Sequence, residues 1–336
     1  MGIVIGDIQT RNRVFLAPMS GVTDEPFRQT AHEHGAGLVV SEMVASEELV
    51  NARPDMMRRA LGADSLSPFV IQLAGREPHW MAEGVHVAEA MGADIIDINM
   101  GCPAREVTGG LSGSALMRDL DHAERLIAAT VGAASVPVTL KMRLGWDHGS
   151  LNAPELARRA QAQGVALITV HGRTRCQFYT GKADWSAISL VREAISIPLI
   201  ANGDGASLAD ARAMLSASGA DGIMIGRGAY GRPWWPGVIA EGLDPGSGRS
   251  EPSLEEEAQI IALHHARILN RHGHHNGNRM ARKHIGWTIS RLAERNLLSS
   301  GEAAGWRAQM LCCNDNDRVR QDLRSLYLCV QERAAA

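Results

Sequence analysis

Eight short apolar runs punctuate the first two-thirds of this chain, and they constrain its fold more than any other feature. They are Val14–Ala17, Leu38–Val40, Phe69–Leu73, Ile95–Ile98, Val138–Met142, Leu167–Val170, Pro198–Ala201 and Gly222–Ile225. Runs of this length bounded by turn residues read as buried strands. Ala-rich helical stretches lie between them, such as Met81–Met91, Pro154–Gln163 and Ala209–Ser216. Strands alternating with helices imply a parallel sheet. Eight units in about 230 residues match a closed (β/α)8 TIM barrel, an α/β fold. A doubly wound open sheet is the alternative, disfavoured by the even spacing.

The chain changes character after Asp244-Pro245-Gly246-Ser247-Gly248, a turn-rich linker. Ser253-Leu254-Glu255-Glu256 then opens a helix in capping-box style, and helical pattern runs to the end. The expected division is a catalytic barrel over 1–245 and a smaller all-helical domain over 250–336. Residues 250–336 carry 12 Lys and Arg against 10 Asp and Glu, whereas residues 1–249 carry 22 against 27. That mild asymmetry does not by itself establish a polyanionic partner.

The strand ends carry the chemistry. Apolar runs finish in Pro18-Met19-Ser20, Glu42, Gln72, Asn99…Cys102, Lys141…Arg143, His171…Arg173, Asn202-Gly203-Asp204 and Gly226-Arg227. In a barrel these ends converge on one rim, where active sites sit. Helix caps explain one or two such residues but not eight ends at once. Within Asn99-Met100-Gly101-Cys102-Pro103, Gly101 and Pro103 stop the strand and present Cys102 at its tip. A core cysteine is the bland reading of that residue. The glycine–proline bracket and the polar company favour a functional thiol.

Several classes are disfavoured. The five cysteines, Cys102, Cys176, Cys312, Cys313 and Cys329, match no CxxC metal or redox motif. The segment Met1–Arg13 lacks a signal-peptide core, and no run of 18 apolar residues exists to span a membrane. The expectation is a cytoplasmic protein with no metal, no membrane association and no obligate protein partner evident.

Asn202-Gly203-Asp204-Gly205 and Gly226-Arg227-Gly228 follow the seventh and eighth strands, the usual phosphate cradle of a barrel. Glycines let backbone N–H groups approach phosphate oxygens, a following helix N-terminus adds positive potential, and Arg227 offers a charge-assisted contact. Gly226-Arg-Gly228-Ala-Tyr-Gly231 also fits the G-x-G-x-x-G dinucleotide fingerprint. It sits at the last strand rather than the first, Pro233 and Pro236 oppose a long helix after it, and no acidic strand end follows. A phosphate-bearing cofactor is expected; a Rossmann-bound NAD is not.

With these residues assembled, the chain resembles the tRNA-dihydrouridine synthases, specifically the B-type bacterial group. The motifs are APMSGVTD (17–24), VSEM (40–43), VIQLAG (70–75), DINMGCPA (97–104), GSAL (113–116), VTLKMRLGW (138–146), TVHGRTR (169–175), IPLIANGDG (197–205), IMIGRGAYGRPW (223–234) and ARKHIGW (281–287). The resemblance weakens after about residue 295. It implies an FMN-containing (β/α)8 barrel followed by a helical tRNA-binding domain. Pro18, Met19 and Ser20 match the segment under the flavin ring. Gln72, Lys141 and His171 match its polar edge, and Asn202, Gly203, Asp204, Gly226 and Arg227 match the ribityl-phosphate site. Asn99 matches a residue near the substrate base, and Cys102 matches the family's proton donor. Relatives often carry more lysine or arginine than Arg105-Glu106-Val107-Thr108-Gly109-Gly110 after that cysteine.

The implied reaction reduces the uracil 5,6-double bond in the D-loop of tRNA. NADPH, or alternatively NADH, reduces FMN; hydride passes to C6, and a proton from Cys102 reaches C5. That role needs a thiol, not a thiolate. Substrate contacts are assigned to Arg143, Arg173, Arg279, Lys283 and Arg291, although Arg173 and Arg175 can equally be surface charge. Arg279, Lys283, Trp287, Arg291 and Arg295 recur near helical spacing and can share a face. Two rivals stand: an FMN-dependent dihydropyrimidine or dihydroorotate dehydrogenase acting on a small molecule, and an RNA-binding protein that keeps the barrel without the chemistry.

Overall fold

All eight apolar runs are strands of one closed barrel. The computed structural model describes residues 2–62 and 66–335. An antiparallel hairpin, β1 (Val4–Ile5) and β2 (Ile8–Gln9), precedes the barrel. The barrel strands are β3 (Val14–Leu16), β4 (Leu38–Ala45), β5 (Val70–Ala74), β6 (Ile95–Met100), β7 (Val138–Arg143), β8 (Leu167–His171), β9 (Leu199–Asn202) and β10 (Gly222–Ile225). Each pairs in parallel with the next, and β10 closes on β3. The open-sheet alternative is thereby excluded. Strand β4 runs past the expected Val40 to Ala45 through a register shift between Val40 and Met43. Glu42 is thus inside the strand rather than beyond its tip.

The helices around the barrel are α1 (Glu25–Glu33), α2 (Ser46–Val50), α3 (Pro54–Ala60), α4 (Pro78–Ala90), α5 (Arg105–Gly109), α6 (Leu120–Ala133), α7 (Ala153–Ala162), α8 (Ser186–Ala194), α9 (Leu208–Ser218) and α10 (Trp235–Leu243). Their starts follow local chemistry. The Asp24 carboxylate caps α1 by accepting from the Phe27 N–H, and Ser207 and Asp210 form a capping box on α9. The G-x-G-x-x-G match itself holds a single 3₁₀ turn (Arg227–Ala229), and only the short α10 follows it, in keeping with Pro233 and Pro236.

Side-chain alternation divides each strand between two apolar layers. Outward residues such as Ile71, Ile96, Ile98, Leu140 and Ile168 pack under the helices. Inward residues Phe15, Val70, Ile95, Leu167 and Ile200 plug the lower lumen, and Ile3 and Ile5 of the hairpin close it from below. Above that plug the inward positions turn polar: Gln72, Asp97, Asn99, Thr139, Lys141 and His171 are all buried. The polar cavity is therefore confined to the upper half of the barrel.

Four helices follow: α11 (Leu254–His272), α12 (His274–Glu294), α13 (Ser300–Leu311) and α14 (Asn316–Ala335). The Ser253–Glu256 capping box starts α11 as expected, and Ser299–Glu302 does the same for α13. Their core, with Ile268, Ile285, Ile289, Leu326 and Val330 fully buried or nearly so, is separate from the barrel core and includes Trp234 of the barrel segment. α11 lies on α1 through two ion pairs, Arg267 to Glu33 at 2.8 Å and Arg271 to Glu25 at 2.9 Å, and a hydrogen bond between His272 Nε2 and Asp24 at 2.9 Å. Gly231 lets α12 touch the barrel mouth. Its φ is +70°, and a Cβ there would lie 2.6 Å from the Trp287 carbonyl.

Histidines are buried within and beneath this helical unit. His264 packs edge-on against Phe27 and His284. Burial pulls its imidazole down to about 4, against the pull of Asp24. Burial, then Arg320, lowers His265 to about 4, and burial followed by His264 holds His284 well below the usual value. Folded, these rings stay neutral, whereas in the unfolded chain they protonate near about 6.5. Their contribution is therefore complete above that value and lost as pH falls through it, because the unfolded state binds the extra protons. We expect His264 and His265 each to cost about 2 kcal/mol of unfolding free energy between about pH 7 and about pH 5. Urea unfolding followed by tryptophan fluorescence at the two pH values measures this, and His264→Gln should flatten the slope.

Candidate active site

The upper lumen opens into a cavity of about 1040 Å³. Its wall takes residues from every strand end expected to carry chemistry except the second, which contributes Met43 rather than Glu42. Pro18, Met19, Ser20, Gln72, Lys141, His171, Asn202, Gly203, Asp204, Gly226 and Arg227 all line it, as do Asn99, Cys102, Arg143 and Arg291.

Cys102 stands on a fully specified backbone. Asn99 Oδ1 accepts from the Gly101 N–H at 3.2 Å and the Cys102 N–H at 3.0 Å. Arg143 Nε donates to the Gly101 carbonyl at 2.8 Å. The Cys102 carbonyl accepts from the Ser114 N–H at 3.0 Å and from Ser114 Oγ at 2.8 Å. The GSAL motif is thus the floor under the cysteine. Gly113, at φ +60°, is needed there, because a Cβ would lie 2.9 Å from the Cys102 carbonyl. Burial pushes the thiol up, opposed by the Ala104 N–H and then by Arg143 and Lys141. A thiol held above its ordinary value is protonated at neutral pH.

The other titrating groups are tuned by the same desolvation. Burial, with Arg143 beside it, lowers Lys141 to about 8. Burial followed by Lys141, Arg143, Arg173 and Arg227 keeps His171 neutral. Arg173 Nη1 lies 3.3 Å from His171 Nε2. A guanidinium has no acceptor, so Nε2 accepts and the ring proton sits on Nδ1. Burial also raises Asp97, against bonds from Gln72 and Thr139.

At the opposite end, Gly203 (φ +122°) and Gly228 bring two loops together. A Cβ on Gly228 would lie 2.5 Å from the Gly205 carbonyl, and one on Gly203 would lie 2.7 Å from Ala183 Cβ. Asp204 accepts from Arg173 at 2.6 Å and more loosely from Arg227 at 3.4 Å. The Arg227 guanidinium is about half exposed on the cavity and is available for an anion. The helix N-terminus expected to assist is already engaged. The Ala206 and Ser207 N–H groups both donate to Asp210, whose charge offsets the α9 dipole. Arg227 and the glycine loops beside it are what this side of the cavity leaves for that role.

Two expectations change. Arg173 is no rim contact: it is 1% exposed, and its guanidinium is spent on the Thr180 and Gly181 carbonyls, Asp204 and His171. Arg175 is not surface charge either, lying 4.7 Å from the rings of both Trp146 and Phe178. On α12, Lys283 reaches toward Gly21, Trp287 stacks on Tyr230 at 3.9 Å, and Arg291 Nε donates to the Tyr230 carbonyl at 3.1 Å. Arg279 is exposed away from the cavity, and Arg295 is paired with Glu257 at 2.6 Å.

Phe178, Tyr179 and Tyr230, none of them a candidate from the sequence, also stand on the cavity wall. Phe178 has a φ of +50°, strained for a bulky residue, and its carbonyl accepts from Arg143 at 2.9 Å. Tyr179 is 53% exposed, with the Arg143 and Arg227 guanidiniums 5.5 Å and 5.1 Å from its ring. In a chain with four Phe and three Tyr, two adjacent aromatics just after TVHGRTR were the available signal. Among the described residues no group of His, Cys, Asp and Glu is placed to hold a metal ion, and no helix is long and apolar enough to cross a membrane.

Fold and site define a closed (β/α)8 barrel with one polar cavity, lined by glycine loops and Arg227 and by the Cys102 thiol. A family model for dihydrouridine synthases matches residues 15–327. A probable tRNA-dihydrouridine synthase of Rhizobium leguminosarum bv. phaseoli is 57% identical over 89% of this chain and 91% of its own. One from Rhodobacter capsulatus is 49% identical over the full length of both. The tRNA-dihydrouridine synthase B of Pseudomonas putida is 44% identical over 85% of each. The chain belongs to the dihydrouridine synthase family, whose members are flavin-dependent oxidoreductases. In fold it is similar to histamine dehydrogenase from Rhizobium sp. 4-9, with a TM-score of 0.54 at 17% identity over 72% of this chain and 47% of that one. The match to 6-hydroxypseudooxynicotine amine oxidase of Pseudomonas geniculata N1 has a TM-score of 0.53 at 13% identity, over 72% and 49%. This chain spans about half the length of those two enzymes.

The residues fit a flavin nucleotide. The cavity reaches the upper end of the range for ligand sites, roughly 300–1,000 Å³, which leaves room for a cofactor and a base. Its glycine loops and Arg227 suit a phosphate, and Lys141 suits an electron-rich ring edge. We expect Cys102 to react slowly with iodoacetamide at neutral pH, well behind the exposed Cys176 and Cys312, with a rate midpoint above the ordinary thiol value of 9.0. Peptide-resolved alkylation against pH measures this.

Proposed function

We propose that this protein reduces uridines in the D-loop of tRNA to 5,6-dihydrouridine, with FMN resident in the barrel and NADPH, or NADH, as reductant. The observation that carries the reading is Cys102, a half-buried thiol held above its ordinary value, on the wall of the same cavity as Arg227 and the Gly203 and Gly226 loops. Bound FMN supplies the hydride that uracil C6 receives.

The chain's own residues do the rest. Asn202, Gly203, Gly226 and Arg227 hold the phosphate end, and Asp204 orients Arg227 from below. Pro18, Met19 and Ser20 form the wall beneath the ring, with Gln72 at its edge. Lys141 offers a cation and His171 a neutral Nδ1–H to the electron-rich side, with Arg173 fixing that tautomer. Asn99 lies beside the target base. Cys102 gives its proton to C5 and is left as a thiolate that Arg143 and Lys141 stabilise until solvent reprotonates it. Arg143 ties the Cys102 strand end to the Phe178 loop.

A base reaches such a mouth only when extruded from its stack. Residues 250–336 supply the surface for the surrounding RNA: Arg291 borders the mouth, Lys283 reaches toward Gly21, and Arg279 is exposed farther along α12. Lys283→Glu with Arg291→Glu should weaken tRNA binding by about tenfold or more and flatten its salt dependence, while NADPH oxidation by the purified protein persists. Unchanged affinity would sink this surface. The activity itself is tested by mapping dihydrouridine in tRNA from a strain lacking the gene, complemented with wild type or Cys102→Ala. Loss at defined positions restored by wild type and not by Cys102→Ala supports the reading. An unchanged map in the deletion strain rejects it in favour of a small-molecule flavoenzyme.

A further inference from the structure

One hydrogen-bonded chain of side chains crosses three consecutive strands of the lumen. In register, Gln72 of β5 faces Asp97 of β6, and Asp97 faces Thr139 of β7. Asn99, two residues on, points the same way one layer nearer the mouth. Thr139 Oγ1 donates to Asp97 Oδ1 at 2.6 Å, and Gln72 Nε2 donates to Asp97 Oδ2 at 2.6 Å. Asn99 Nδ2 donates to Gln72 Oε1 at 2.7 Å. Asn99 Oδ1 is then left for the N–H groups of Gly101 and Cys102. All four side chains are buried.

A primary amide can sit either way round. Here neither can turn. A carboxylate accepts, a backbone N–H donates, and between those two fixed ends each amide has one orientation that satisfies every bond. A turned Gln72 would set its Oε1 against the Asp97 carboxylate and its Nε2 against the Asn99 amino group. Such like-on-like contacts in a buried network leave polar groups unpaired. One hydrogen of each NH₂ is used within the chain. The other is what Gln72 and Asn99, both on the cavity wall, offer a ligand. The wall beside Cys102 therefore offers these two amide donors to a ring edge.

We infer that Asp97 is a positioning residue: through Gln72 and Asn99 it fixes the backbone carrying Cys102 and the direction in which both amides donate into the cavity. The inference rests on the proposed reading that Cys102 protonates a uridine.

The test is a cycle of Asp97→Asn, Thr139→Val and the double variant. In Asp97→Asn alone, the introduced amide still accepts from Gln72 and turns its amino group to the Thr139 hydroxyl, so the polarity survives. In Thr139→Val alone, the Asp97 carboxylate still accepts from Gln72. In the double variant nothing decides the orientation of the introduced amide, and the polarity is lost. Each single variant should lose about threefold or less in kcat for dihydrouridine formation, and the double about tenfold or more, with tRNA KM and flavin content held. In protein without tRNA, Cys102 alkylation should quicken and its pH midpoint fall only in the double variant, as the loosened backbone admits water. Losses that add across the cycle, with Cys102 alkylation unchanged, overturn the inference. If the double variant fails to fold, Asp97→Ser, too short to reach Gln72, carries the same two expectations. If wild type forms no dihydrouridine yet the alkylation change appears, the proposed function falls and the role of Asp97 stands.

Discussion

Closure of the barrel between β10 and β3 is the constraint on which the site depends. Ile223, Met224 and Ile225 pair with Val14, Phe15 and Leu16, and the Ala17 N–H extends the seam to the Ile225 carbonyl at 2.9 Å. That seam brings Pro18, Met19 and Ser20 beside Gly226 and Arg227, which lie at the far end of the barrel sequence. An open sheet would leave them at opposite edges. Parallel strands also point every C-terminal end the same way, so one closure sets all eight strand ends around one mouth. The apolar plug of Phe15, Val70, Ile95, Leu167 and Ile200 then fixes how deep the mouth can go.

Depth in turn decides protonation. The polar layer above the plug is desolvated, and desolvation is the largest influence on Cys102, Lys141, His171 and Asp97 alike. Its sign differs with the charge of the ionised form: it favours the neutral thiol and the neutral imidazole and weakens the ammonium. The surrounding cations pull the thiol down without cancelling the shift. They push His171 the same way as burial does, which is why the imidazole is held so far below its ordinary value. A single environment therefore yields a proton donor, a neutral ring donor and a cation within one cavity.

The fold was legible because its signal is periodic. Eight apolar runs at regular spacing survive any error in individual boundaries, and the misjudged end of β4 altered nothing beyond Glu42. The strand-end residues were legible because parallel strands share a direction. What the sequence concealed was whether a charged group faces solvent or carbonyls. Arg173 and Arg175 read as either rim contacts or surface charge, and only the path of the 174–182 loop folds them inward. The α9 N-terminus read as an anion site because Asp210 gives no sign, from its position alone, that it turns back onto Ala206 and Ser207. Asp97 was visible within an apolar strand, two residues from Asn99, but its bonds run sideways to β5 and β7, a direction that linear spacing does not encode.

The helical unit is not an appendage to the barrel. Trp287 stacks on Tyr230, Gly231 takes the place a side chain would need against α12, and Arg291 binds the Tyr230 carbonyl while bordering the cavity. Tyr230 itself follows directly on the 3₁₀ turn that carries Arg227. The loop that offers a guanidinium to an anion is thus clamped from outside by α12, and α11 secures the other side of the mouth through Asp24, Glu25 and Glu33 on and before α1. Because α1 starts just after the Pro18–Ser20 segment, both ends of the closure seam are tied to the helices beyond residue 250. A contact made on those helices therefore bears directly on the geometry of the cradle.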